Sequence, residues 1–83
     1  MIYQLETTPK FDRQLKKLDK AGQKQIVEYL LKNVEGTTNP RAFGKALIGD
    51  RKGFWRYRVG DYRIICDIQD QECIVLALET AHR

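Results

Sequence analysis

Three arginines, Arg56, Arg58 and Arg63, lie on either side of a Gly60-Asp61 pair, in the run Trp55-Arg56-Tyr57-Arg58-Val59-Gly60-Asp61-Tyr62-Arg63-Ile64-Ile65. Glycine readily adopts the positive φ that a two-residue hairpin turn needs. If Gly60-Asp61 is that turn, Val59 faces Tyr62, Arg58 faces Arg63 and Arg56 faces Ile65. Residues two apart on a strand share a face. The three arginines then gather on one face, with Trp55, Tyr57, Tyr62 and Ile64 on the other. Two like charges directly opposite each other destabilise a strand pair. A guanidinium is a planar, bidentate donor whose geometry matches phosphate. The pattern therefore fits a phosphate-binding face as well as a solvated one that nearby Asp61 or Glu79 neutralises.

The surrounding segment strengthens the phosphate reading. Between Pro40 and Arg63 the chain carries Arg41, Lys45, Arg51, Lys52, Arg56, Arg58 and Arg63 against only Asp50 and Asp61. That window is five charges positive, whereas the whole chain is +4. Concentrated positive charge selects a polyanion or an acidic protein partner and gives salt-dependent binding.

Other chemistries are poorly supplied. The sequence contains no serine, which removes a serine nucleophile. One histidine and two cysteines, Cys66 and Cys73, fall short of the four ligands of a structural zinc site. The cysteines read as small buried apolar residues of a reducing compartment. No glycine-rich stretch has P-loop spacing. Asp67, Asp70 and Glu72 cluster at a chain reversal and read as solvated turn residues. A nuclease built from these residues is expected to work without a metal or other cofactor.

The elements that position these residues can be read from periodicity. A length of 83 residues predicts one domain, residues 1–83, and 42% apolar with 31% charged residues is the balance of a globular chain. No apolar run approaches the roughly 18 residues of a membrane span, and the N-terminus lacks a signal-peptide pattern, so a cytoplasmic protein with no membrane partner is expected. Residues 2–6 alternate as a short strand. Thr8 and Pro9 mark a helix start, and Phe11, Leu15 and Leu18 follow at helical spacing. A second helix begins near Asp19 and runs to about Val34, with Ile26, Val27, Leu30, Leu31 and Val34 as its apolar stripe and Gly36 as its stop. Residues 37–53 read as a loop with a short strand or turn near Phe43–Leu47. Strands follow over 54–59, 62–68 and 73–80. The order β-α-α-β-β-β predicts an α+β fold: an N-terminal strand, an antiparallel helix hairpin, and a three-stranded antiparallel meander with the helices on one face. The other face is left for a ligand.

The run from Gly53 to Ile65 resembles the central signature of RelE-like toxins of the RelE/ParE superfamily, and Glu79-Thr80-Ala81-His82-Arg83 resembles their final strand. The resemblance extends over essentially the whole chain. It implies the toxin of a toxin–antitoxin pair, a ribosome-dependent endoribonuclease that cuts mRNA in the A site without a metal and so inhibits translation. Arg56 and Arg58 match the two basic residues of the family's basic strand, Arg63 the arginine after the turn, and Arg83 the arginine closing the last strand. Arg63 and Arg83 are then expected to hold the scissile phosphate, Arg56 and Arg58 to bind its neighbours or aid proton transfer, and His82 to be a candidate acid or base. Lys45, Arg51, Lys52 and Arg41 are expected to bind RNA. The implied partners are a RelB-like antitoxin, ribosomal RNA and mRNA, with operator DNA reached only through the antitoxin complex. RelE-like chains usually continue into a segment carrying a catalytic tyrosine, whereas this sequence stops at Arg83. The departure implies a weakened or inactive nuclease and keeps a non-catalytic basic binding module as an alternative. A ParE-like inhibitor of DNA gyrase is the other reading.

Overall fold

Thr8 begins the helical part as its sequence requires. Its side chain accepts a hydrogen bond from the Phe11 amide (3.1 Å), and Pro9 opens the first helix, α1 (Pro9–Lys16). Asp19 caps the second, α2 (Lys20–Asn33), through the Gly22 amide at 3.2 Å. Gly36, at φ 78°, ends the α2 region in the left-handed conformation that glycine permits. The strands are β1 (Gln4–Thr7), β2 (Lys45–Ala46), β3 (Trp55–Val59), β4 (Tyr62–Gln69) and β5 (Ile74–His82), with a short 3-10 turn over Gly49–Arg51. This computed structural model describes residues 1–82.

The strands form one sheet in the order β1-β5-β4-β3-β2. The expected meander is present as β3-β4-β5, and it is extended at both edges. β1 adds parallel to β5, and the two-residue β2 adds antiparallel to β3. Helix α1 lies against β5 and α2 against β3, on the same face of the sheet. Phe11, Ile26, Leu30 and Val34 from the helical side meet Tyr57, Val59, Ile64, Cys66, Val75 and Ala77 from the sheet.

Three expectations need correction. The α2 stripe is narrower than its composition, because only Ile26, Leu30 and Val34, one residue per turn, are its fully buried apolar residues, with Tyr29 packed at the margin against Tyr57. Val27 and Leu31 are 39% and 59% exposed. The first strand is Gln4–Thr7 rather than 2–6, set by its pairing with Ile74–Ala77. Cys66 is buried as expected, but Cys73 is only half-buried and sits in the β4–β5 turn with φ 54°.

β5 contains the fold's main irregularity. Cys66 pairs with Ala77 but Ile65 pairs with Glu79, so Leu78 is an extra residue, a β-bulge. The Thr8 hydroxyl reaches the Ala77 and Leu78 carbonyls, each at 3.2 Å. The bulge reverses the facing of everything after it. Val75 and Ala77 point to the core, and so does Thr80, while Glu79 and Ala81 take the open face.

Candidate nucleic-acid interface

The β3–β4 register is the one expected: Val59 opposite Tyr62, Arg58 opposite Arg63, and Arg56 opposite Ile65. Tyr57, Val59 and Ile64 fill the core, so the arginines are driven to the face without helices. None of Arg56, Arg58 and Arg63 enters an ion pair among the described residues. They line three clefts that share lining residues. One, of about 310 Å³, lies between Leu47, Arg51, Arg56, Arg63, Ile65 and Glu79. A smaller one, of about 140 Å³, lies between Arg56, Arg58, Tyr62 and Arg63. A third, of about 350 Å³, opens at the sheet edge beside Tyr29, Phe43, Lys45, Arg56 and Arg58.

Glu79 is the carboxylate of the first cleft. It receives Arg51 through two hydrogen bonds, at 2.8 and 3.3 Å, and Lys10 from α1 at 2.8 Å. Arg51 first and Lys10 second hold its carboxyl down to about 2. Glu79 thus neutralises part of the basic cluster, as its place in the sequence allowed. Instead of touching Arg56 or Arg63, it draws in Arg51, from the 3-10 turn, and Lys10. Lys10 is 69 positions away in sequence, and no local signal points to it.

Not every basic residue of the window joins the face. Lys45, on β2, pairs with Arg56 and shares its cleft. Arg51 is at the rim, held by Glu79. Lys52 is exposed in the turn before β3. Arg41 is committed elsewhere. It makes a two-pronged contact with Asp70 (2.9 and 3.0 Å), which also accepts from the Tyr3 hydroxyl at 2.6 Å. These donors, Arg41 foremost, lower the Asp70 carboxyl to about 2. Asp70, read from sequence as a solvated turn residue, is a tie between the β4–β5 turn, the N-terminus and the segment before β2. Arg41 therefore anchors a loop through Asp70, apart from the arginines of the open face.

His82 also stands apart from the arginine face. It pairs with Tyr62, which shares the facing of Val59, and its ring meets the Tyr62 ring edge-on at 5.0 Å. The Leu78 bulge shifts it to the helix-bearing side, away from Arg58 and Arg63. Arg83 lies outside the described residues. Trp55 and Tyr57 lie opposite the arginines as the alternation required: Tyr57 is fully buried, and Trp55 packs at the core's margin. Among the described residues no three of His, Cys, Asp and Glu converge as a metal-holding group, and no helix is long and apolar enough to cross a membrane.

Comparison with known proteins agrees with this geometry. Residues 5–83 match the family described as the ParE toxin of the type II toxin–antitoxin system parDE. No curated protein matches the chain. Among solved structures, a chain of the toxin–antitoxin complex RelBE2 from Mycobacterium tuberculosis superposes with a TM-score of 0.90 at 28% identity, over 100% of both chains. A chain of the archaeal RelE–RelB complex from Pyrococcus horikoshii gives 0.73 at 24% identity, over 100% of this chain and 97% of that one. The isolated E. coli RelE toxin gives 0.73 at 16% identity, over 96% of this chain and 83% of that one. The chain therefore belongs to the ParE toxin family of type II toxin–antitoxin systems, and its fold is that of the RelE toxins.

Proposed function

We propose that this toxin is an endoribonuclease that cuts mRNA in the ribosomal A site without a metal and is held in check by a RelB-like antitoxin. The observation that carries the reading is the trio Arg56, Arg58 and Arg63, which enter no ion pair among the described residues and line adjoining clefts on the helix-free face. A protein pays a stability cost for the directly opposed Arg58 and Arg63, and a bound phosphate removes it.

In this mechanism the 2′-hydroxyl of the preceding nucleotide loses its proton to solvent water as its oxygen attacks the scissile phosphorus, the phosphorus–5′-oxygen bond breaks, and the 5′-oxygen takes up a proton from water. The products are a 2′,3′-cyclic phosphate and a 5′-hydroxyl. Arg63 stabilises the charge that develops on the phosphoryl oxygens, and Arg56 and Arg58 bind the flanking phosphates. Arg83 joins Arg63 by sequence resemblance alone. Arginine stays protonated, with a pKa above about 12, so these residues contribute electrostatics and orientation. Glu79 is too acidic, at about 2, to be an efficient proton carrier near neutral pH. Its part is to fix Arg51 at the cleft rim.

The test maps the 5′ ends of a reporter mRNA in a purified translation system, with and without ribosomes. Cuts at A-site codons that require ribosomes are the expected result, and Arg63→Ala removes them. Absence of cuts with wild-type protein overturns the reading. The ParE family match favours a second reading, inhibition of DNA gyrase. A supercoiling assay separates the two, because only a gyrase inhibitor blocks supercoiling at the concentrations that arrest growth.

A further inference from the structure

The cleft at the sheet edge has a feature that phosphate binding alone does not explain. β2 pairs with β3 only at Lys45–Arg56 and Ala46–Trp55, so the outer edge of β3 from Tyr57 to Val59 has no neighbouring strand among the described residues. The resulting notch, about 350 Å³, is at the lower end of the ~300–1,000 Å³ range of ligand clefts. Its lining is Tyr29, Phe43, Gly44, Lys45, Arg56 and Arg58, with no acidic residue.

Phe43 is 52% exposed and stands outside the core cluster. Yet its backbone is fixed at several points. The Trp55 indole N–H donates to the Phe43 carbonyl at 2.8 Å, and the buried Tyr57 hydroxyl donates to the Pro40 carbonyl. Gly44 has φ 87° and lies so close to the β3 backbone that a β-carbon there would collide with the Arg56 carbonyl and the Trp55 indole nitrogen. The buried Tyr57, the half-buried Trp55 and an obligatory glycine thus present a solvent-facing aromatic ring beside three cations. An aromatic face next to arginines that take phosphates is the arrangement by which single-stranded RNA is bound: the base stacks and the backbone pairs with charge.

We infer that the Phe43 notch is a base-stacking subsite for one unpaired RNA nucleotide, adjacent to the nucleotide whose phosphate lies on Arg56 and Arg58. The inference rests on the RNA-cleaving reading for its substrate class and adds a residue that selects for a base rather than a phosphate.

The probe is fluorescein-labelled hexaadenylate, followed by anisotropy over a series of salt concentrations. Phe43→Ala and Phe43→Leu each weaken binding about tenfold, as loss of a stacked base predicts, and Phe43→Trp restores it. The salt slope stays unchanged in all three, whereas Arg58→Ala lowers it by about 0.7. An abasic ribose-phosphate oligomer of equal charge binds wild type and Phe43→Ala alike. Wild-type affinity retained in Phe43→Ala and Phe43→Leu, or no hexaadenylate binding by wild type, overturns the subsite. So does an equal Phe43 dependence with the abasic oligomer. Loss in Phe43→Ala only of binding to an acidic antitoxin peptide also overturns it and makes the notch a protein-docking site. The mRNA-cutting assay reports separately. Phe43-dependent oligonucleotide binding without ribosomal cuts leaves the subsite and removes the nuclease reading, and ribosomal cuts with no Phe43 dependence do the reverse.

Discussion

At the scale of single residues, the site separates free charges from committed ones. Among the described residues Arg56, Arg58 and Arg63 enter no ion pair, while Arg41 and Arg51 are held by Asp70 and Glu79. Substituting a free arginine should cost function and favour the fold. Arg58→Ala is expected to weaken RNA binding and to raise the melting temperature, because it removes the like charge opposite Arg63. Thermal melts at low salt, where the repulsion is least screened, check the stability arm. Arg63→Ala is expected to lower ribosomal cleavage by about 10²–10³-fold, the usual cost of losing a group that stabilises developing charge. The cysteines differ in the same way. Burial pushes the Cys66 thiol up to about 12, so it is almost wholly protonated at pH 8. Half-buried Cys73, in its turn, is expected to react first with a thiol reagent in native protein, with Cys66 labelled only after denaturation.

At the scale of elements, two acidic residues tie distant parts of the chain together, and their titration gives a signed prediction. Glu79 sits at about 2 against an ordinary 4.5, and Asp70 at about 2 against 3.8. A carboxylate whose folded pKa is depressed stabilises the fold above its unfolded pKa and loses that contribution as pH falls through the folded one. The melting temperature is therefore expected to fall between about pH 4.5 and about pH 2, and the Glu79→Gln/Asp70→Asn double variant to fall less steeply there. Asp70 is about half exposed and Glu79 partly so, and solvent screening limits the size of the effect. The segment before β2 is fixed by Tyr57, whose buried hydroxyl donates to the Pro40 carbonyl. Tyr57→Phe leaves that carbonyl without its partner and is expected to cost about 1–3 kcal/mol. Urea unfolding measures the loss, and faster amide exchange at residues 41–44 locates it.

At the scale of the whole molecule, an 83-residue chain with a radius of gyration of 11.9 Å has one thin core between two helices and a five-stranded sheet. Such a domain is only modestly stable, so anything that binds the folded form raises its apparent stability. A RelB-like antitoxin is expected to raise the melting temperature in a concentration-dependent way. If it covers the arginine face, 0.5 M salt weakens that effect. A salt-insensitive shift would place the antitoxin on an apolar surface, of which the exposed Val27 and Leu31 side of α2 is one.

The sequence by itself determined whatever depends on neighbours along the chain. Thr8-Pro9 and Asp19 set the helix starts, and Gly60-Asp61 with strict alternation fixed the β3–β4 pairing to the residue, hence the face shared by Arg56, Arg58 and Arg63. A turn and a period of two are local constraints, and a one-residue slip would have buried the arginines. Tertiary structure alone decided the face of β5 after Leu78. Alternation continued from Val75 and Ala77 would put Glu79 in the core and His82 on the open face, and the bulge reverses both. That bulge is held by the Thr8 hydroxyl, 69 and 70 positions away. The withdrawal of Arg41 to Asp70, the reach of Lys10 to Glu79 and the anchoring of Phe43 by Trp55 likewise depend on pairs that only the folded sheet and helices bring together. Short-range stereochemistry wrote the arginine face into the chain, and long-range packing chose which other charges, and which aromatic ring, stand beside it.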